Sequence, residues 1–213
     1  MRILGISCSP RRLGNTAVLV NTVLEAAKER GGRLVQTELV LLDSSKDLRR
    51  CDGADACHTP TWRMCTITED DIYPVLGKMI DADAIVLGCP VYNGVVTSEF
   101  ATLAGRTNCL TTDIETGTSL LEGKLGGAIA VGQYPRHEQV RGGGQAFVLR
   151  AIGALLGSHS VDVVEPEPGH IGISACSVTT EPGIVIQTDE RAVAQARQLG
   201  GSLVVRLKTG ATD

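Results

Sequence analysis

The chain has 213 residues, of which 43% are hydrophobic and 25 are glycine. Its formal net charge at pH 7 is −4, and its basic residues occur in short clusters, so a nucleic-acid-binding surface is not expected. No apolar run approaches the roughly 18 residues that a membrane span needs, so a membrane protein is not expected either.

The first predicted strand, residues 2–6, runs into a small polar turn and then into a helix predicted over residues 16–30. The turn reads SCSPRRLGN over residues 7–15. Hydroxyl groups, backbone N–H groups and a helix N-terminus directed at one point form a phosphate site. Ser7 and Ser9 can donate hydroxyl groups, Asn15 can cap the helix, and Arg11 or Arg12 can supply a full positive charge. An ordinary polar strand–helix connection is the alternative.

The spacing of this turn excludes other phosphate-binding loops. It contains no Gly-x-x-x-x-Gly-Lys-Ser/Thr run and only one glycine, Gly14, so it is neither a P-loop nor a dinucleotide fingerprint. A cysteine phosphatase needs an arginine six positions after its nucleophile, and Gly14 stands there relative to Cys8. Phosphatase chemistry would therefore lack its essential cation.

Strands and helices alternate through the rest of the chain, as periodicity and turn residues indicate. Strands are predicted at 34–42, 84–88, 127–132 and 160–164, and helices from 69, over 97–107 and 145–156, and over 189–207. Residues 43–68 are predicted to be a long irregular insertion, and residues 165–182 a loop. Gly200-Gly201 could interrupt the last helix, since glycine costs on the order of 1 kcal/mol in a helix interior.

Five such repeats predict a doubly wound α/β fold with a five-stranded parallel sheet in the flavodoxin-like order 2-1-3-4-5. We expect one domain over residues 1–213. Ligands of such sheets bind where the strand order reverses. The turns after strands one, three and four meet there, and they are residues 7–15, 90–94 and 133–144.

Two of these turns resemble a known family. They are similar to motifs of the NADPH-dependent FMN reductase family of the flavodoxin superfamily. The matching stretches are SPR and GNT in the first turn and GCPVYNGVVT at residues 88–97. The similarity extends to residues 82–86 and to Arg106-Thr107, and it covers the first half of the chain better than the second. Both motifs stand at the expected strand ends.

The resemblance implies FMN bound non-covalently and a flavoprotein oxidoreductase. The positions that match the phosphate-binding residues are Ser9, Arg11, Asn15 and Thr16, and those that match the turn along the isoalloxazine are Pro90, Val91, Tyr92, Asn93 and Gly94. A flavin needs a dianion site, a flat slot and N–H groups at its pyrimidine edge. Tyr92 could cover a ring face or be an aromatic residue at the edge of the core. Since flavin itself accepts the hydride, we nominate no catalytic side chain.

The insertion carries Cys51, Cys57 and Cys65. Iron-sulfur flavoproteins, a branch of the family, have a compact four-cysteine motif here, and Ala54 stands where another cysteine is expected. Clusters and structural zinc sites usually have four ligands. His58 or a second subunit could complete a set, but we favour a lid or subunit contact without metal. Trp62 could pack over a neighbouring subunit's flavin or anchor the loop.

The other cysteines are interpreted as structural. Cys8 lies beside arginines at a helix N-terminus, but an adjacent phosphate would oppose its thiolate form. Cys89 and Cys109 are expected to be small buried apolar residues. No signal peptide precedes the first strand, which predicts a cytoplasmic protein with reduced thiols. Arg136, His137 and Arg141 could contact NAD(P)H phosphates or form a solvated basic loop.

The function predicted from these features is NAD(P)H oxidation through FMN, with a small-molecule electron acceptor. The alternatives are an iron-sulfur flavoprotein and a flavodoxin-like carrier without nicotinamide turnover. Family analogy indicates a homodimer or homotetramer. NADPH and NADH are both open as the electron donor.

Overall fold

The strands that carry the sheet form from the most apolar runs of the chain. The computed structural model describes residues 1–58, 64–113, 118–133, 144–176 and 189–210. The strands in these ranges are β1 (Arg2–Ser7), β2 (Gln36–Leu41), β3 (Ala84–Pro90), β4 (Thr111–Asp113), β5 (Thr118–Ser119), β6 (Leu125–Gly132), β7 (Asp162–Val163) and β8 (Ile173–Cys176). Every residue of β3 and β6 is buried, as the interior strands of a parallel sheet require.

Helices follow the strands along the chain. They are α1 (Asn15–Gly31), α2 (Tyr73–Asp81), α3 (Ser98–Arg106), α4 (Gly144–Ser158) and α5 (Glu190–Thr209). Short 3₁₀ turns occur at Gly32–Leu34, Ala56–His58 and Thr107–Leu110. Within the described ranges, no helix is both long and apolar enough to cross a membrane.

The sheet has the order β2-β1-β3-β6-β7, and β8 also pairs with β6. Each of these pairings is parallel. β7 pairs with the start of β6 at Leu125 and Gly126, whereas β8 pairs with its end, from Ile129 to Gly132. The predicted order 2-1-3-4-5 is therefore confirmed, with its fifth position shared by two short strands.

The two faces of the sheet bury different helices. Along β1, Ile3 joins the core beneath α1 and α5, and Leu4 joins the core beneath α2, α3 and α4. This alternation follows from the two-residue period of a strand. Helices cover both faces of the sheet. The carboxyl ends of the strands are therefore left uncovered, and they are called the open edge below.

Two predicted boundaries in the second half of the sheet were wrong. Residues 165–182 were predicted to be a loop, yet they contain β8. The fifth strand was predicted at 160–164 but is only Asp162–Val163. Proline and glycine around residues 166–172 divide this edge of the sheet into two pieces, because neither residue favours a continuous strand.

The helix starts also differ from the prediction. The acidic residues 69–71 lie before α2, which begins at Tyr73 with Pro74 in its first turn. α5 runs without a break through Gly200 and Gly201. Its N-cap is Asp189, whose carboxylate accepts a hydrogen bond from the Ala192 N–H, as expected for an aspartate at this position.

Candidate functional site

The turn after β1 gathers hydroxyl groups beneath the start of α1. Ser7 is 1% exposed, and its Oγ has no hydrogen-bond partner among the described residues. Ser9 is also buried, and its Oγ accepts a hydrogen bond of 3.2 Å from the Arg11 backbone N–H. Each hydroxyl group can donate one hydrogen bond. A buried hydroxyl without a partner is unusual and fits a ligand atom that completes it.

The N-terminus of α1 is open to an anion. The N-cap is Gly14, whose backbone is extended, and no side chain caps the helix. The expectation that Asn15 caps α1 is therefore wrong: Asn15 is the first helical residue. The first turn contains no acidic residue. Uncapped N–H groups and the helix dipole favour a negatively charged group here.

The two arginines of the turn differ in their surroundings. Arg12 Nη1 lies 3.9 Å from Oδ2 of Asp43, which is buried at the end of β2. The pKa of Asp43 is lowered, chiefly by the hydroxyl hydrogen bond from Ser45, with a smaller contribution from Arg12. Arg11 is exposed and takes part in no ion pair of the described chain. Arg11 is thus the arginine available to a phosphate.

The turn after β3 is a tight two-residue hairpin. Tyr92 and Val95 exchange two backbone hydrogen bonds of 3.0 Å. Asn93 and Gly94 between them have φ values of 49° and 82°. Two positive φ values define a type I′ turn, which Asn-Gly favours because both residues tolerate this conformation. Tyr92 is 41% exposed, so its ring presents a free apolar surface at the sheet edge.

The loop after β1 is hydrogen-bonded to β3 and to the last residue of the loop that follows β3. The Cys8 N–H donates to the Gly88 carbonyl at 2.8 Å, and the Thr97 hydroxyl donates to the Cys8 carbonyl at 2.8 Å. Thr97 Oγ1 also accepts from the Phe100 N–H at 3.4 Å and so caps α3. Thr97 was not among the predicted site residues. A threonine just before a helical pattern is the sequence signal that could have identified it.

The remaining predicted residues lie beside these groups. Thr16 is buried in the first turn of α1, and Pro90 ends β3. Val91 is bonded through its N–H to the Val131 carbonyl on β6, at 2.8 Å. The Gly144 N–H donates to the Gly94 carbonyl at 2.8 Å, which connects the hairpin to α4. Arg136, His137 and Arg141 lie outside the described residues.

FMN has features that these groups can satisfy. Its phosphate needs donors and positive charge, which the unpartnered Ser7 hydroxyl, Ser9, Arg11 and the α1 N-terminus provide. Its ring system needs a flat apolar surface with nearby backbone donors, and the hairpin Tyr92–Val95 lies at the neighbouring strand end. The residues present therefore fit the cofactor.

Cys8 does not have the properties of a reactive thiol. It is fully buried, and burial raises its pKa well above the usual value, with further contributions from Cys89 and Glu99. Burial also raises the pKa of Cys89. Both thiols stay protonated near neutral pH, so the interpretation of Cys8 and Cys89 as structural residues is supported.

The cysteine segment between β2 and α2 is organised by Arg106, at the end of α3. The side chains of Arg106 and Asp70 are fully buried, and the Nη1–Oδ2 distance is 2.5 Å. Burial alone would raise the pKa of Asp70, but hydrogen bonds from Arg106 and from the Tyr73 and Arg49 N–H groups lower it overall. Arg106 belongs to the stretch that resembles the family, but no role was predicted for its side chain. Its burial could not be read from the sequence.

Two surface cavities lie away from the open edge. One, of about 380 Å³, is lined by the first residues of β1 and β2 and by Lys78. The other, of about 920 Å³, lies between α5 and the β7 region. The first adjoins the amino ends of β1 and β2, the second is lined by β7 and the residues after it, and neither contains a predicted site residue.

Comparisons with known proteins agree with this description. The sequence model of the NADPH-dependent FMN reductase family matches residues 1–165. An iron-sulfur flavoprotein of Methanocaldococcus jannaschii is 34% identical over 200 residues, which cover 94% of each chain.

Solved structures share the fold at low sequence identity. RosB, solved with 8-demethyl-8-formylriboflavin-5′-phosphate, has a TM-score of 0.70 and 18% identity, and the match covers 98% of this chain and 81% of that one. An FMN-dependent NADH-azoreductase from Bacillus anthracis, solved with FMN, has a TM-score of 0.63 and 15% identity, covering 96% and 100%. These likenesses establish a flavodoxin-like fold for the chain.

Proposed function

We infer that this chain, which belongs to the NADPH-dependent FMN reductase family, takes electrons from NADPH or NADH and passes them through bound FMN to a small acceptor. Its family membership makes it an FMN-dependent flavoprotein oxidoreductase. The identity of the donor and of the acceptor, and the residues that hold the cofactor, are the proposed part.

One observation carries the proposal: two loops suited to the two ends of FMN are hydrogen-bonded to one another. Thr97 and the Cys8 carbonyl connect the turn after β1 to the turn after β3. A phosphate at the first turn would leave the ring system to extend towards the second. Ligands of doubly wound sheets bind at this junction of strands β1 and β3.

We assign the phosphate to Ser9, Arg11, Asn15 and Thr16, with the Ser7 hydroxyl as an additional donor. Hydrogen bonds to a charged phosphate are stronger than neutral ones, and the buried Ser7 hydroxyl has no partner among the described residues. Pro90, Val91, Tyr92, Asn93 and Gly94 are assigned to the ring. Gly94 lets the ring approach the backbone closely, because it has no side chain in the way.

When bound, FMN would supply two-electron redox chemistry between the nicotinamide and an acceptor such as a quinone or free flavin. The protein residues hold the two partners in contact and require no proton-transfer group of their own. A homodimer or homotetramer is proposed, in which a second chain covers the exposed Tyr92.

The first test compares Ser9→Ala with Ser158→Ala in FMN binding, followed by the quenching of flavin fluorescence. Losing a hydrogen bond to a charged group costs about 1.5–3 kcal/mol, so Ser9→Ala should weaken FMN binding about 10- to 100-fold. Ser158 lies at the far end of α4 and should leave the affinity unchanged. Equal affinity of both variants would contradict the assigned phosphate site.

The second test is reduction of the bound flavin by NADPH and by NADH without oxygen, followed by addition of a quinone. Rapid bleaching of the flavin absorption by one nucleotide, and recovery with quinone, are expected. Tight FMN binding with no reduction by either nucleotide would instead favour a flavodoxin-like electron carrier.

A further inference from the structure

The insertion has three of the four thiols that a cubic iron-sulfur cluster requires. Cys51 and Cys57 have the spacing of the first and third cysteines of a C-x₂-C-x₂-C motif. Ala54 occupies the position of the second cysteine. Residues 59–63, outside the described ranges, contain no cysteine, histidine or acidic residue. The segment therefore offers Cys51, Cys57 and Cys65 alone as cysteine ligands.

Cys109 is a further thiol close to Cys65 and Cys57, and its surroundings do not suit a ligand. It is 2% exposed, and its thiol donates to the Arg106 carbonyl at 3.1 Å. Replacing the core contacts of Cys109 by an eight-atom cube would require the core to open.

His58 is equally poorly placed. Its Nε2 lies 3.0 Å from Nδ2 of Asn108, and it is adjacent in sequence to Cys57. Across the described ranges, no three histidine, cysteine or acidic side chains are grouped so that they could hold a metal ion. The donor set of this segment does not fit an iron-sulfur cluster.

Arg106 holds the segment together in a different way. Its Nη1 donates to the Arg49 carbonyl at 2.8 Å and its Nη2 to the Ile67 carbonyl at 2.7 Å. Its Nε donates to Cys65 Sγ at 3.1 Å. One guanidinium group thus connects both ends of the insertion to α3, and the Asp70 carboxylate balances its charge.

We propose that alanine at position 54 has removed the cluster from this chain and that the buried Arg106–Asp70 pair keeps the insertion folded without it. The inference rests on the proposed function in one respect: FMN is then the sole redox centre. Electrons would then pass from FMN directly to the acceptor, without an intervening cluster.

The test restores the missing thiol. Wild type, Ala54→Cys and the control Ala56→Cys are purified without oxygen, incubated with ferrous iron, sulfide and a thiol reductant, and desalted. Ala54 is exposed, so its replacement should not disturb packing. Ala56→Cys adds a thiol to the same segment, directly beside Cys57, at a spacing that does not match the run.

Ala54→Cys should retain about four irons and four sulfides per chain, as a cubic cluster contains, and gain an electron paramagnetic resonance signal on reduction. Wild type and Ala56→Cys should retain neither iron nor sulfide. The double variant Cys51→Ser, Ala54→Cys should retain no iron or sulfide and show no such signal. A cluster in the wild type, or none in Ala54→Cys, would overturn the proposal.

The same samples separate this proposal from the proposed function. FMN content and NAD(P)H oxidation are measured beside iron and sulfide. Wild type without FMN binding would contradict the proposed function whatever its iron content. Wild type with FMN, nicotinamide turnover and a cluster would contradict only the present inference.

Discussion

His159 illustrates how one buried side chain makes stability depend on pH. It is 3% exposed, and its Nδ1 lies 2.8 Å from the Ser119 hydroxyl, which also accepts the Leu121 N–H at 3.2 Å. Burial lowers its pKa. The Ser119 hydroxyl also donates to the Leu110 carbonyl at 3.3 Å. Protonation of the buried imidazole would bring a charge into the core.

We expect acid to destabilise the protein through His159. The unfolded chain binds a proton near pH 6.5, whereas the folded chain binds it only at lower pH. The free energy of unfolding is therefore at its full value above the pKa of His159 in the unfolded chain. It falls as the pH drops towards the pKa of His159 in the folded chain, by about 1.4 kcal/mol for each pH unit between the two pKa values. Urea unfolding between pH 8 and pH 5 should show this loss.

The control is His159→Asn, whose side-chain amide can form a hydrogen bond with the Ser119 hydroxyl and does not titrate. Its unfolding free energy should fall less on acidification than that of wild type. Parallel pH profiles for the two proteins would show that His159 does not titrate differently in the folded and unfolded states.

Among the elements, those with strong periodicity were predicted well and those defined by contacts were not. α1, β1 and β3 were predicted to within a few residues, because their apolar pattern is determined by which face is buried. α2 was predicted to begin at its acidic residues, but Asp70 lies before the helix and binds both the Tyr73 N–H and Arg106, a partner 36 residues away. β8 is too short for periodicity to indicate, and it forms because β6 offers it a partner.

Gly200 and Gly201 in α5 also show that contacts between elements were not predictable from the sequence. The sequence indicated a possible break, but the helix continues because Gly200 is where α5 crosses α1. A Cβ on Gly200 would lie 2.3 Å from the Val23 carbonyl oxygen and 2.9 Å from the Ala27 nitrogen, whereas one on Gly201 would meet nothing within 4 Å. Close packing of two helices depends on the first glycine only.

We therefore expect replacement of the two glycines by alanine to change the unfolding free energy in opposite directions. Gly200→Ala should lower the unfolding free energy by about 1–3 kcal/mol, since an overpacked contact with rigid backbone must shift. Gly201→Ala should raise it by about 0.5–1 kcal/mol, because alanine loses less backbone entropy in a helix. Urea unfolding of both variants measures the difference, and effects of the same sign would contradict this packing.

At the scale of the whole molecule, the strand ends that carry the candidate site were predictable, but the hydrogen bonds between them were not. Strand order and the carboxyl ends of β1 and β3 follow from the alternation of elements. The hydrogen bond from Thr97 to the Cys8 carbonyl, and the Arg106–Asp70 pair, join residues 89 and 36 positions apart. Neither leaves a periodic signal, since a polar contact between distant segments depends on the finished fold.

A site joined to the core in this way should couple cofactor binding to global stability. FMN at 100 times its dissociation constant should add about 2.7 kcal/mol to the unfolding free energy, which for a chain of this length corresponds to a rise in Tm of about 5–10 °C. Riboflavin is the matched ligand, because it has the ring and ribityl chain without the phosphate. Thermal unfolding of the cofactor-free protein with each ligand at equal concentration gives the comparison.

Riboflavin should raise Tm much less than FMN, because the Ser7 and Ser9 hydroxyls, Arg11 and the N-terminus of α1 have no anion to bind. Ser9→Ala should reduce the FMN effect and leave the riboflavin effect unchanged, since the proposed site places only the phosphate against that side chain. A riboflavin effect equal to that of FMN would place the binding energy in the ring alone. The turn after β1 would then be an ordinary strand–helix connection, and the buried Ser7 hydroxyl would need another partner.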